Sequence, residues 1–270
     1  MLPDTLNVQS ISIPRVGLGT YKLTGSEGVK SIEDALHIGY RHIDTAQMYA
    51  NETEVGKAIR QSGTDRDNVF ITTKVWPSDF KRLLPAVEDS LRKLKTETID
   101  LLLLHWPSDD ASNQKGLELL NEALHKGYAR LAGVSNFNTQ QLEQAVRLAP
   151  IVCNQVEYHP FLSQEKMLAD LKQHNLFLTA YRPLAQGKVA TDAVLIELAE
   201  KYGKTPSQVA LRWLVQQEDI VVIPKASSAD RRKENLAVFD FELSPEDMEI
   251  VFSLGKNERL TDPEWAPKWD

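Results

Sequence analysis

Eight short β-rich runs recur along this 270-residue chain, near residues 16–18, 41–43, 69–75, 99–104, 130–135, 151–156, 176–181 and 220–223, with helical patterns between them. Runs such as Leu101 to Leu104 do not alternate with polar residues. Strands covered on both faces read this way, and a parallel sheet beneath helices covers both. About eight such units in one domain predict an α/β fold, a closed (β/α)8 TIM barrel spanning residues 1–270. A doubly wound open sheet is the structural alternative.

Local signals agree with that reading. Val29, Ile32 and Leu36 share one helix face, as do Val87, Leu91 and Leu94 between Pro85 and Thr96. Thr205-Pro206-Ser207-Gln208 reads as a capping box with proline at the first helical position, and Ser244-Pro245-Glu246-Asp247 as a similar start. Leu6 to Ile13 alternates around Gln9-Ser10, which predicts an N-terminal β-hairpin before the barrel. Helical segments near 191–202 and 206–217 both precede the eighth strand, so one is extra to the barrel.

Composition narrows the function. The net charge is −7 with no basic stripe, which argues against nucleic acid as a principal partner. The lone Cys153 excludes an internal disulfide and suits a reducing compartment. The Met1 start has no basic, apolar leader pattern, and no run approaches the ~18 apolar residues of a membrane span. A cytoplasmic protein, acting as a monomer, is expected. The six histidines form no metal-binding array, so no metal is expected.

Four polar residues stand where a barrel carries chemistry. Asp44, Lys74 and His105 each close a separate apolar run, and Tyr49 follows Asp44 in the next loop. Taken singly, each also reads as an ordinary polar strand end. Together an acid, a base and a phenol on one rim suggest a proton-transfer site. Gly17-Leu-Gly19 is too short to serve as a Rossmann turn, so a dinucleotide must be held by other means.

Several long motifs, in order, carry a family resemblance. Gly39 to Gly56 (GYRHIDTAQMYANETEVG), Leu103-Leu-His-Trp-Pro107, Gly133-Val-Ser-Asn-Phe137, and Ile223-Pro-Lys225 through Arg231, Glu234 and Asn235 resemble the signatures of the aldo-keto reductases. The tail from Asn257 to Asp270 is similar to that of bacterial 2,5-diketo-D-gluconate reductases of the B type. The resemblance implies a barrel with NADPH across its C-terminal rim and reduction of aldehydes and ketones. It implies Tyr49 as proton donor, Lys74 and Asp44 as the pair that tunes it, and His105 as the group that orients the carbonyl. A phenol titrates near ~10, and a nearby Lys74 cation is expected to lower that value.

The resemblance also implies a cofactor surface. Ser135, Asn136 and Gln155 match residues that hold the nicotinamide amide, and Tyr181 the aromatic on which the ring stacks. Lys225 and Arg231 match the pair that meets the 2′-phosphate of NADPH or NADP, with Glu234 and Asn235 on the adenine side. Arg182, Pro183, Leu184, Gly187, Ile223 and Ser227 complete the set. Arg182 replaces a common serine and is expected at the pyrophosphate or at an anionic substrate. Ala226 replaces a common hydroxyl, with Ser227 or Ser228 as substitutes. Tyr21, Trp76, His105 and Trp106 are expected to line the substrate pocket. The short tail suggests an open pocket for small polar carbonyls such as 2,5-diketo-D-gluconate, methylglyoxal or simple aldehydes. Arg182 and Arg259 would favour carboxylated ones. A regulatory or redox-sensing cofactor binder with little turnover is the alternative, and a phosphate-binding isomerase or aldolase leaves Ser135, Gln155 and Arg231 unexplained.

Overall fold

The computed structural model describes residues 4–270, so the Met1–Pro3 part of the start read above lies outside the described residues. Strands β1 (Thr5–Val8) and β2 (Ile11–Pro14) pair antiparallel as the expected hairpin. Gln9 and Ser10 both take positive φ, the twist a two-residue hairpin turn requires.

Eight parallel strands follow, in sequential order: β3 (Leu18–Gly19), β4 (His42–Asp44), β5 (Phe70–Val75), β6 (Ile99–Leu104), β7 (Ala129–Ser135), β8 (Ile151–Glu157), β9 (Phe177–Tyr181) and β10 (Ile220–Val222). The run at 16–18 meets the last strand. Val16 bridges Val222, the Val222 amide donates to Arg15 O at 2.8 Å, and the Gly17 amide donates to Val222 O at 2.8 Å. This closes the sheet into the predicted barrel and removes the doubly wound alternative.

Helices α1 (Gly25–Ile38), α2 (Glu52–Gln61), α3 (Leu83–Leu94), α4 (Asp110–His125), α5 (Thr139–Leu148) and α6 (Glu165–Gln173) cover the outside. Both α7 (Ala193–Tyr202) and α8 (Pro206–Gln216) precede β10. Of the two, α8 packs on β10, while α7 packs on α8 and on α10 (Pro245–Phe252), so α7 is the extra helix. The barrel helix after β10 is α9 (Ala229–Leu236), which packs on α1 and α8. Thr205 and Gln208 form the predicted capping box, and Ser244 caps α10.

Strand periodicity explains the unbroken apolar runs. Leu102 and Leu104 join the core between barrel and helices, whereas Leu101 and Leu103 join an inner core with Phe70, Phe177 and Val221. Leu6, Val8 and Ile11 of the hairpin pack against that inner core. Inward polar side chains gather at the strands' C-terminal ends, with His42 at the start of β4, bonded to Thr72 Oγ1 at 3.0 Å, as an exception.

Glycines let the closing strands approach. A Cβ on Gly17 would fall 2.8 Å from the His42 ring, and one on Gly19 would fall 2.7 Å from the Ile223 carbonyl oxygen. A backbone neighbour cannot step aside as a side chain does. Gly19→Ala is expected to cost about 1–3 kcal/mol, read as a lower urea midpoint; an unchanged midpoint would contradict this tight closure.

Candidate active site

The four candidate residues converge. Asp44 ends β4, Lys74 lies one residue before the end of β5, and His105 directly follows β6. Tyr49 ends a short 3-10 turn, Gln47–Tyr49, immediately before α2. Its backbone is fixed by the buried Asn51, whose side chain accepts from Thr45 Oγ1 at 2.7 Å and donates to Thr20 O at 2.8 Å and Leu23 O at 2.9 Å. Glu52, also buried, accepts from Thr73 Oγ1 at 2.7 Å and so ties this turn to β5 beside Lys74.

Lys74 is fully buried. Its Nζ donates to Asp44 Oδ1 at 2.6 Å and to Thr45 O at 2.8 Å. Asp44 Oδ2 accepts from Gln155 Nε2 at 2.8 Å, so one carboxylate joins β4, β5 and β8. Burial pushes the Lys74 ammonium below its ordinary value, and Asp44 opposes that shift. The partly buried Tyr49 ring lies with its centroid 5.0 Å from Lys74 Nζ and 5.7 Å from the His105 ring centroid.

The phenol is not lowered as the sequence suggested. Burial pushes Tyr49 well above its ordinary value, the Asp44 carboxylate and Tyr21 push the same way, and Arg182 opposes them. The chief reason is burial of the phenol, while the Lys74 ammonium over its ring is bonded to Asp44 and the Thr45 carbonyl. In the protein alone Tyr49 stays protonated.

His105 is held neutral. Burial, and then the Lys74 cation, drive it well below the ordinary imidazole value. Its Nδ1 is buried without a hydrogen-bond partner, while Asn136 Nδ2 donates to its backbone carbonyl at 3.1 Å.

The residues predicted for the nicotinamide amide form one cluster. Ser135 Oγ donates to Gln155 O at 2.8 Å, Asn136 Nδ2 donates to Ser135 Oγ at 3.0 Å, and Tyr181 Oη donates to Asn136 Oδ1 at 2.8 Å. Asn136 adopts φ 63°, a left-handed turn that asparagine tolerates. The next segment is equally contorted, with positive φ at Arg182, Ala185, Gln186 and Gly187; Pro183 is buried, Leu184 half-buried and Gly187 exposed.

The phosphate-side residues sit apart, after β10. Ile223 and Ala226 are buried, while Lys225, Ser227 and Arg231 are exposed. Ser228 caps α9 by accepting from the Arg231 amide. Glu234 accepts from Thr205 Oγ1, and Asn235 is buried. The middle residue of the Arg231-Arg232-Lys233 run was missed as a charged surface residue. Arg232 is buried, pairs with Asp34, and donates to Ala226 O at 3.2 Å and Ser227 O at 2.9 Å, which shapes the loop. Its signal was weak, since a lone arginine in a basic run reads as solvated.

The pocket wall corrects one expectation. The short tail does not leave the rim open. Trp265 packs edge-on against Trp106 at 4.8 Å and Trp76 at 5.8 Å between ring centroids, and Trp76 meets the His105 ring at 5.2 Å. Tyr21 stands exposed on the other side, 5.1 Å from the Tyr49 ring. Arg182 Nη1 donates to Leu260 O of the tail at 2.9 Å. The buried Cys153 packs in the inner core, its thiol pushed up by burial. A groove of about 990 Å³ at the starts of β6 and β7 holds no comparable set, because its Arg66 and Arg130 pair with Asp100. Among the described residues no group of side chains suits a metal ion, and no helix is long and apolar enough to cross a membrane.

These features define a class of protein. The chain belongs to the aldo/keto reductase family, whose model matches residues 15–256, and is an oxidoreductase. It is 40% identical over 268 residues to the methylglyoxal reductase DkgB of Escherichia coli O157:H7, covering 96% of this chain and 100% of that one. A solved structure assigned by inference as a 2,5-diketo-D-gluconic acid reductase B shares 45% identity and a TM-score of 0.96, over 100% of this chain and 98% of the other. A Bombyx mori aldo-keto reductase in complex with NADP shares 30% identity and a TM-score of 0.89, over 99% and 100%.

Two outcomes follow from the buried charges. Asp44→Ala strands a buried cation and is expected to cost about 3–5 kcal/mol, whereas the double variant Asp44→Asn/Lys74→Met recovers much of that loss; urea unfolding of the set checks this, and additive losses would contradict it. His42 and His105 are both shifted down chiefly by burial. Below about pH 6.5 the unfolded chain protonates at both while the folded chain does not, so stability falls as pH falls, each adding about 1.4 kcal/mol per pH unit. His105→Gln should reduce that slope; an identical slope would oppose the neutral assignment.

Proposed function

We propose that the protein reduces small polar aldehydes and ketones to alcohols with NADPH, Tyr49 giving the proton. The observation that carries this reading is the buried Lys74–Asp44 pair beside a protonated Tyr49 and a neutral His105 on one rim. The residues fit a nicotinamide dinucleotide: Tyr181 is half-buried at the rim, and Lys225 and Arg231 are exposed near the start of α9. When bound, the nicotinamide supplies a hydride to the carbonyl carbon.

The chain's own residues do the rest. His105 donates one hydrogen bond to the carbonyl oxygen from the nitrogen facing the pocket. That tautomer leaves the buried Nδ1 as an unpaired acceptor, a smaller penalty than an unpaired donor. Tyr49 is the loaded acid, and its proton passes to the oxygen as negative charge develops there. The Lys74 cation then lies close to the new phenolate and offsets the Asp44 charge. Ser135, Asn136 and Gln155 fix the nicotinamide amide, and Tyr181 carries its ring. Trp76, Trp106 and Trp265 exclude water beside His105.

Methylglyoxal, simple aldehydes and 2,5-diketo-D-gluconate are the candidate substrates, and two of the relatives above are named for methylglyoxal and for 2,5-diketo-D-gluconic acid. We place the enzyme in the cytoplasm as a monomer. Absorbance loss at 340 nm with NADPH and methylglyoxal tests the reading, and consumption above the no-carbonyl rate is expected. No consumption across several carbonyls would return the protein to the cofactor-binding alternative.

Cofactor choice is a separate outcome. Arg231→Ala removes a charge-assisted contact to the 2′-phosphate and is expected to weaken NADPH about 10- to 100-fold while moving NADH little. Fluorescence titrations with both cofactors check this, and equal losses would contradict the phosphate role.

A further inference from the structure

Two residues beyond Gln155, on the same strand, lies a fully buried carboxylate that the chemistry above does not use. Glu157 ends β8 directly opposite Tyr181 of β9. One of its oxygens accepts from His159 Nε2 at 3.0 Å and from the Leu260 backbone amide at 2.6 Å. The Phe161 amide donates to His159 Nδ1 at 3.3 Å, which fixes the ring proton on Nε2, pointing at Glu157. The other carboxylate oxygen is buried without a partner, as are Arg259 Nη1 and Thr261 Oγ1 of the tail. Burial pushes the Glu157 carboxyl up, but His159 and the Leu260 amide bring it below the ordinary carboxylate value. An ionised group therefore sits in the seam between barrel and tail.

Leu260 is gripped at both its peptide groups. Its amide donates to Glu157, and its carbonyl accepts from Arg182 Nη1. The tail beyond it has no helix or strand of its own. It is pinned again at its far end, where Asn138 Nδ2 donates to Lys268 O at 3.0 Å and Thr139 Oγ1 donates to the Asp270 carboxylate at 2.7 Å. Between the pins, Trp269 Nε1 donates to Asp262 Oδ1 at 2.8 Å, and the Arg259 guanidinium lies 3.8 Å over the Trp269 ring. Trp265, more than half exposed, packs against Trp76 and Trp106 from within this span, whose start is also held by the Lys256 and Glu258 amides donating to Phe161 O.

We propose that Glu157 is the receptor for the C-terminal tail and thereby a positioning residue for the substrate pocket, its carboxylate registering Leu260 so that Trp265 closes over Trp76 and Trp106. A segment without secondary structure keeps one conformation only while its pins hold, and releasing one lets it open locally without unfolding the barrel. Apolar residues at the seam would fuse tail and barrel. A buried carboxylate instead ties docking to the Leu260 amide, because an undocked tail leaves that charge with His159 as its remaining donor.

The test compares the intact chain with Glu157→Gln and with Leu260→Pro, the latter read against Leu260→Ala, which keeps the amide donor and loses the same core-packing side chain. Hydrogen exchange of residues 256–270 is expected to quicken about tenfold or more in both, with β5 and β6 as protected as before. The kinetic arm rests on the reductase reading: KM for methylglyoxal should rise about three- to tenfold, with kcat and NADPH affinity moving less than about threefold. Unchanged tail exchange in both variants would overturn the proposal, and so would faster exchange with an unchanged KM. Should Glu157→Gln fail to fold, Leu260→Pro decides by the same readings. An intact chain that consumes no NADPH would refute the reductase reading, and the exchange arm would still decide the role of Glu157 in docking.

Discussion

A lysine with no solvent exposure, held by one carboxylate, sets the terms for the whole rim. Removing an ammonium and a carboxylate from water costs several kcal/mol per ion, recovered only when geometry and further hydrogen bonds are good. Here the Lys74 ammonium has Asp44 and the Thr45 carbonyl, and Asp44 has Gln155 as well. Three strands must keep their register for these bonds to form together. The barrel's inner packing, filled below by Phe70, Leu101, Leu103 and Phe177 and covered by the hairpin, supplies that register. The same pair determines its neighbours: the Lys74 charge helps keep His105 neutral, and the Asp44 charge helps keep Tyr49 protonated.

A second constraint is delivered by a segment with no regular structure. The tail joins two sides of the rim, because Arg182 in the loop after β9 and Glu157 on β8 hold the same residue, Leu260. Its other contacts place Trp265 in the wall beside His105. Pocket shape and the turn after Tyr181 are thereby coupled through a few hydrogen bonds rather than through a shared core.

The barrel was legible because burial on both strand faces leaves a direct mark. Leu101 to Leu104 feed two different cores, so no polar alternation interrupts them. The tetrad was legible because inward polar residues are rare in such runs, and the motif order around them is specific. What the residues did to each other was less legible. Lys74 was expected to lower Tyr49, yet burial of the phenol and the nearby Asp44 charge push it up, and spacing does not encode how deeply a side chain is buried. Arg232 was hidden for a similar reason: helix phase buries it between exposed Arg231 and Lys233. The tail's closure was missed because its pins are backbone groups at Leu260 and Lys268, and any residue carries those. Asn51 lay inside the Gly39–Gly56 signature and Glu157 just past the run read as strand at 151–156, with nothing in their spacing to separate brace from filler.

On the proposed reading Tyr49 supplies the proton from a site whose electrostatics are set by Lys74 and Asp44. Single-turnover kinetics of Tyr49→Phe, with NADPH pre-bound and methylglyoxal added, test that role. NADPH affinity should stay within about threefold of the unsubstituted protein while the turnover rate falls by about 10²–10⁴. A near-normal single-turnover rate in Tyr49→Phe would contradict it.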